Sequence, residues 1–391
     1  MGLRLRKNLL HAALRLIHAA DRRQPDAARL GGASIRRILA ISCTAIGDTL
    51  LSTPALRSLR LAYPNAQISL LLNRNYATLF ANNPDIDEII PYAGGYRRFF
   101  RLAWLLNRRR FDLALILHGN EPQATPLAYL SGADFRFKLP NDNDFRFLLS
   151  NAEPVRRWSD FAHGIDQRLA VAALAGGAPT DRSMTLTPSP AATISLDQRM
   201  AARGIAPGAP LIGFQAGAST LSRRWAADRF VELGQRLLAS RPDAWIVLTG
   251  APGERPLAEK IAAGIGDARV WIAAGEPSLA ELPALMQRLA LLLTGDTGPM
   301  HMAIAVGTPV VALFAVSDWR RSGPADGFTK HVVIQKWITC KPCLSKRCPY
   351  AEPLCMANIG VDEVEQAIIG KLDGAPGGVF ETPAPTEEAP A

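Results

Sequence analysis

With 391 residues, 48% of them apolar, the chain is too long for one ordinary domain and carries apolar surface for two packed cores. Its formal charge of +9 favours anionic partners such as nucleotides or phosphorylated lipids. However, no helix-turn-helix, zinc-finger or aromatic-basic run points to nucleic acid. No apolar stretch is long and charge-free enough to span a bilayer, and Arg15, His11 and His18 interrupt what would be a signal-peptide core, which predicts a cytoplasmic protein.

Residues 1–20 read as a basic amphipathic helix. Leu3, Leu10, Leu14 and Ile17 recur at helical spacing, with Arg4, Lys7 and Arg15 among them. Such a helix either lies on an anionic membrane surface or packs on the protein's own flank. Residues 21–34, rich in Ala, Arg and Gly, read as a linker, so 1–35 form an extension. From Arg36 onward strands alternate with helices. Strands are expected at 38–42, 67–72, 86–91 and 112–117. Helices are expected from 48 to before Pro64, at 76–81, and at 97–109, the last one basic and amphipathic.

The stretch 185–208 holds Pro188, Pro190, Pro207 and Gly208, and marks an interdomain linker at 188–208. The alternation then restarts, with strands at 211–215, 245–249, 270–272, 290–293 and 309–314. Helices are expected at 226–240, 256–265, 279–289 and 300–306. The predicted fold class is therefore α/β, with two Rossmann-like doubly wound domains, 36–187 and 209–372, facing across a cleft. The tail 373–391, rich in Pro, Ala and Glu, cannot bury a core and should be disordered.

Three strand-to-turn-to-helix segments carry the chemistry. In the first, Gly47 and Asp48 follow the strand 38–42. Ligands of open α/β sheets sit beyond the carboxyl ends of the strands, so Asp48 can take a proton from an acceptor hydroxyl. Its other reading is a helix N-terminal carboxylate stabilising the dipole. In the second, the small residues Gly217, Ala218, Ser219 and Thr220 let N–H groups and hydroxyls approach phosphate oxygens, and Arg223 and Arg224 carry charge suited to a pyrophosphate. The alternative is a plain glycine turn beside a solvated basic pair. In the third, Asp296, Thr297 and Gly298 open a helix at a second anion site. His301 one turn later reaches the same cleft or serves as a structural histidine. No G-x-G-x-x-G follows the first strand, which argues against a dinucleotide dehydrogenase.

Taken together, Ile46-Gly47-Asp48, Arg223-Arg224-Trp225, Asp296-Thr297-Gly298-Pro299-Met300-His301 and Gly307-Thr308-Pro309-Val310-Val311-Ala312-Leu313-Phe314 resemble glycosyltransferase family nine, the heptosyltransferase family. The resemblance covers roughly 36–369 and implies the GT-B architecture. It implies an inverting transferase moving heptose from ADP-heptose to a lipopolysaccharide core acceptor, with Asp48 as general base. The donor would be held by Gly217, Ala218, Ser219, Thr220, Arg223, Glu254, Asp296, Thr297, Gly298 and His301. The acceptor would be met by Thr44, Gly47, His118 and Asn120. The implied acceptor is an anionic lipid-linked saccharide at the cytoplasmic face of the inner membrane, and the implied enzyme is a peripheral monomer that needs no cofactor for catalysis.

Two positions depart from the family pattern: Arg223 stands where the family usually has Lys, and Ala226 where it has Pro. Cys340, Cys343, Cys348 and Cys355 suit a tetrahedral structural zinc, a cluster also seen in the family, or are reduced loop thiols. The remaining alternatives are a transferase of the same fold using another nucleotide-sugar for a different surface polysaccharide, and a non-catalytic binding protein. Retention of Asp48 together with Asp296 speaks against the latter.

Overall fold

A computed structural model describes residues 3–21, 27–95, 98–118, 122–151, 154–315, 317–325, 329–336 and 354–381. The chain divides into two compact units, Met1–Thr185 and Leu186–Ala391.

The first unit is built on β1 (Arg37–Ser42), β2 (Gln67–Asn73), β3 (Glu88–Tyr92), β4 (Leu113–His118) and β5 (Phe135–Lys138). All neighbouring pairs are parallel, in the order β3-β2-β1-β4-β5. The apolar runs of β1 and β4 are buried on both faces, as central strands of a covered parallel sheet must be. The chain order reverses between β1 and β4, so their carboxyl ends form the topological switch point.

The helix expected from residue 48 to Pro64 is broken into Ile46–Leu50 and Thr53–Ala62. Pro54 lacks an N–H and its ring would clash with the Leu50 carbonyl inside a continuous helix. It sits instead in the first turn of the second helix, and the Thr53 hydroxyl donates to that carbonyl at 2.8 Å. The helix expected at 76–81 is a 3-10 turn, Arg74–Phe80, in which the Asn73 side chain accepts from the Asn75 N–H.

The segment read as an extension belongs to this unit. Helix Leu3–Ala20 buries Leu10 and Leu14 in one core with Phe99, Ala103 and Leu106. Lys7 pairs with Asp144, and Arg15 stacks over the Phe147 ring.

The second unit carries β6 (Leu211–Gln215), β7 (Trp245–Thr249), β8 (Val270–Ile272), β9 (Leu291–Gly295), β10 (Val310–Phe314), β11 (Val332–Gln335) and β12 (Gly378–Glu381). This sheet too is parallel, in the order β12-β11-β10-β9-β6-β7-β8, with its switch point between β6 and β9.

Two expectations about connections differ from what is found. The segment read as an interdomain linker contains helix Pro190–Ala201, because Pro190 stands at a helix start, where its missing N–H costs nothing, and the Ser189 hydroxyl caps the Ala192 N–H. The helix is anchored to its unit by Ser195 on Glu281 and by Arg288 on Asp197. The tail expected to be unstructured from 373 supplies β12, since backbone pairing along β11 needs no apolar core; residues 382–391 lie outside the described residues. Among the described residues, no helix is long and apolar enough to cross a membrane.

Candidate active site

At the switch point of the first unit, β1 ends at Ser42 and the chain turns through Thr44 into the short helix that carries Asp48 in its first turn. On the neighbouring strand the register slips. Ile41 pairs with Ile116 but Ser42 pairs with His118, leaving Leu117 as the extra residue of a bulge. A bulge re-aims the side chain beside it, and here it brings the imidazole to the turn. Thr44 Oγ1 lies 3.0 Å from Asp48 Oδ2 and 2.7 Å from His118 Nδ1. His118 Nε2 lies 3.5 Å from Asp48 Oδ1. Gly47 is buried beneath them.

The fourth member is Arg168, on helix Gly164–Leu174. Its side chain is 2% exposed, and Nη2 donates to Asp48 Oδ1 at 3.1 Å. Nε and Nη1 are held by the Ser52 hydroxyl and the Gly164 carbonyl at 3.0 and 2.7 Å. Burial lowers the Arg168 pKa to about 10, opposed by Asp48, so the guanidinium remains charged at neutral pH. The same burial, followed by the nearby Arg168 charge, pushes His118 well below the ordinary imidazole range despite Asp48.

The proton positions follow from these contacts. A carboxylate only accepts, so Thr44 donates to Asp48 and neutral His118 donates from Nδ1 to Thr44. His118 Nε2 is then left as a lone pair facing Asp48. Asp48 itself keeps 31% of its side chain exposed, so one edge stays open to an incoming hydroxyl. Beside His118 opens a cavity of about 270 Å³ whose wall includes Lys138, Trp158 and Lys7. Burial lowers Lys138 to about 8. Asn120, expected with this group, lies outside the described residues.

In the second unit, the loops after β6, β7 and β9 meet at the carboxyl edge of the sheet. Gln215, 4% exposed, laces two of them together. Its Nε2 donates to the Gly217 carbonyl at 3.1 Å and to Glu254 at 3.3 Å, while Oε1 accepts from Thr249 at 2.9 Å. Glu254 also accepts the Ala251 N–H at 2.9 Å. A Cβ at Gly217 would stand 1.9 Å from Glu254 Oε1, so a side chain there would push the Glu254 carboxylate off the loop. Ala218 is buried, Thr220 is half-buried and Ser219 is exposed at the rim.

Arg223 does not stand free beside a diphosphate position. It pairs with Asp296 at 3.2 Å and donates to the Asp296 carbonyl at 3.2 Å, with 26% of its side chain still exposed. Asp296 also accepts from Ser317 at 2.8 Å and Ser322 at 3.4 Å. Arg224, read as a second phosphate partner, instead places Nε and Nη2 on the Ala218 carbonyl at 2.9 and 2.7 Å and so braces the loop. Thr297 spends its hydroxyl on Thr294 at 3.0 Å, so helix Gly298–Ala305 begins without a side-chain cap. Its first-turn N–H groups and dipole therefore suit an anion. His301, expected among the donor ligands, is 5% exposed inside that helix. Cys340, Cys343 and Cys348, and the side chain of Cys355, lie outside the described residues.

Sequence reasoning missed three members of these sites: Arg168, Ser52 and Gln215. The signal for Arg168 was an arginine within an apolar helix of Ile165, Val171 and Ala172, a place where an unpaired charge would be costly.

Comparison with known proteins fits this arrangement. The sequence profile of glycosyltransferase family 9 (heptosyltransferase) matches residues 99–353. The chain is 26% identical to lipopolysaccharide heptosyltransferase 3 of Escherichia coli over 288 residues, covering 70% of this chain and 83% of that protein. It is 27% identical to lipopolysaccharide heptosyltransferase 1 of Pseudomonas aeruginosa over 343 residues, covering 80% and 88%. The fold matches the structure of E. coli ADP-heptose lps heptosyltransferase II with a TM-score of 0.69 at 23% identity, covering 86% of this chain and 98% of that one. Two parallel sheets with these sites at their switch points, and a family match across most of the chain, place the protein in glycosyltransferase family 9, the heptosyltransferase family, and make it a glycosyltransferase of the GT-B fold.

Proposed function

We propose that the enzyme transfers heptose, with inversion, from ADP-heptose to a hydroxyl of a lipopolysaccharide core acceptor, with Asp48 as general base. The observation that carries this reading is the Asp48 carboxylate, fixed by buried Arg168 and by Thr44 at the switch point, with one edge open. The donor follows that of the E. coli structure, an ADP-heptose lps heptosyltransferase.

In the single displacement, the acceptor oxygen attacks the anomeric carbon as its proton passes to Asp48. The bond from that carbon to the β-phosphate oxygen breaks, and ADP leaves with the electron pair. Holding the base with a charged, fully packed arginine sets its direction of attack before the acceptor arrives. Once Asp48 carries the proton, the neutral Nε2 of His118 is the acceptor facing it. Charge growing on the departing diphosphate is met by Arg223, by N–H groups of the Gly217–Thr220 loop, and by the uncapped start of helix Gly298–Ala305. Glu254, braced by Gln215, takes the ribose and base side.

This reading assigns the stabilisation of ADP to protein groups and leaves Cys340, Cys343, Cys348 and Cys355 either as ligands of a structural zinc or as reduced thiols. The acceptor is an anionic lipid-linked saccharide, so the enzyme works at the cytoplasmic face of the inner membrane. The cavity beside His118, lined by Lys7 and Lys138 but also by Asp142 and Asp144, suits the polar hydroxyls of a sugar of that acceptor.

A donor screen on purified protein tests the assignment. Acceptor-dependent release of ADP from ADP-heptose is expected, with UDP- and GDP-sugars inert. Faster release from a hexose nucleotide would transfer the reading to another surface polysaccharide, and release from none would leave a binding protein. If the four cysteines hold a structural metal, elemental analysis of the same preparation should find about one zinc per chain, as a single tetrahedral site requires; no stoichiometric metal would mean reduced thiols.

A further inference from the structure

Helix Leu3–Ala20 and helix Phe99–Asn107 share a core on their inner sides, but their outer sides leave an apolar groove of about 870 Å³ between them. Its wall includes Leu9, Ile17, Phe100 and Trp104, which are 52%, 50%, 74% and 55% exposed. On the first helix Leu5 and Leu16 extend the same open apolar side, Leu16 at 76%. Large contiguous apolar surface of this kind on a folded protein marks a contact site.

The charges around the groove name the partner. Neither helix contains an aspartate or glutamate. Arg6 lines the groove, Arg98, Arg101 and Arg108 are exposed on or beside the second helix, and the Arg108 guanidinium sits 4.7 Å from the Trp104 ring centroid. Exposed leucine, isoleucine and aromatic side chains beside a band of arginines, with no acid among them, match the boundary between acyl chains and anionic headgroups. Trp and Phe favour that depth, and Arg reaches back to phosphate while its stem stays apolar.

We propose that these two helices form one composite face that docks on an anionic bilayer, inserting Leu9, Ile17, Phe100 and Trp104. The purpose of docking rests on reading the acceptor as lipid-linked. The same first helix contributes Lys7 to the cavity beside His118, where Lys7 pairs with Asp144. Docking through this helix therefore holds the acceptor side of the first unit at the membrane surface.

The test is co-sedimentation of the full chain with vesicles of phosphatidylglycerol and phosphatidylethanolamine, and with vesicles of phosphatidylcholine alone. Two double variants, Phe100→Ser with Trp104→Ser and Leu9→Ser with Ile17→Ser, change only exposed side chains. The wild type should bind the anionic vesicles, ignore the neutral ones, and dissociate in high salt as exposed charges are screened. Each double variant should bind at least about tenfold more weakly, as expected for loss of the inserted side chains, with ADP affinity by calorimetry unchanged.

Wild type that fails to bind anionic vesicles, or variants that bind as well as wild type, would overturn the proposal. So would a concentration-dependent dimer in sedimentation velocity that the variants dissolve, which would make the groove a contact between copies of the chain. The vesicles contain neither donor nor saccharide. Binding without any heptosyl transfer would thus count against the functional reading alone, and transfer without binding against the docking face alone.

Discussion

Asp48→Asn should abolish transfer while leaving ADP affinity unchanged. The amide keeps the shape of the carboxylate, and its carbonyl oxygen can still accept from Arg168 Nη2, now 3.1 Å from Oδ1. What it loses is the capacity to accept a proton from the acceptor hydroxyl. Removing a general base costs about 10²–10⁴ in rate. The groups proposed to hold the donor lie in the other unit, so calorimetry with ADP should not distinguish the variant from wild type. Arg168 keeps the Ser52 and Gly164 oxygens but loses the carboxylate paired with its buried charge, so stability should fall as well, by up to about 3–5 kcal/mol for a pair broken from one side. Transfer within about tenfold of wild type, short of general-base losses, would remove Asp48 from the role of base.

The second large effect is expected at Arg223. Its ion pair with Asp296 means that Arg223→Ala acts twice on the donor site. A charge-assisted hydrogen bond contributes about 1.5–3 kcal/mol, so loss of the diphosphate contact alone weakens ADP about tenfold to 150-fold. In addition, the Asp296 carboxylate, whose side chain is only 9% exposed, is left with the hydroxyls of Ser317 and Ser322 and repels the ligand. Breaking a buried pair from one side costs up to about 3–5 kcal/mol of stability, so the melting temperature should fall as well.

Adding Asp296→Asn to Arg223→Ala separates the two effects. The double variant should regain much of the lost melting temperature, since no charge remains unpaired, but should not regain affinity beyond the part due to repulsion. Calorimetry showing wild-type ADP affinity for Arg223→Ala would mean that Arg223 serves Asp296 alone and that the loop and the helix start hold the diphosphate.

These sites were legible to different depths. The strand ends at Ser42, Gln215 and Gly295 could be read because short apolar runs ended in small or acidic residues, a local signal. Asp48, Gly217 and Asp296 stood at those ends and were found with them. Arg168 was not, since its partner lies 120 residues away and its helix shows no clear amphipathic period. The bulge at Leu117 that turns His118 toward Thr44 also leaves no mark in a uniformly apolar strand.

Proline and charge explain the other differences. Pro190 signals a loop or a helix start equally well, and the capping hydroxyl of Ser189 decided for the helix. Leu10 and Leu14 fix the first helix to its own unit, while Leu9 and Ile17 on the adjoining face stay half exposed. Packing on the flank and contact with a membrane are therefore compatible for one helix, where the sequence pattern had set them as alternatives. Arg223 and Arg224 are adjacent and chemically identical, yet one pairs with Asp296 and the other braces the Ala218 carbonyl. Only the turn at Leu221–Arg223, which sends successive side chains in different directions, separates their roles.

The central claim is that Asp48 activates an acceptor hydroxyl for one direct displacement at the anomeric carbon of ADP-heptose. The measurement that meets it most directly is NMR of the purified product formed from ADP-heptose and a core acceptor. The account predicts one new glycosidic bond, with anomeric configuration opposite to that of the donor and one ADP released for each bond formed. A product with the donor's own configuration, or ADP released to free heptose with no new bond, would contradict it.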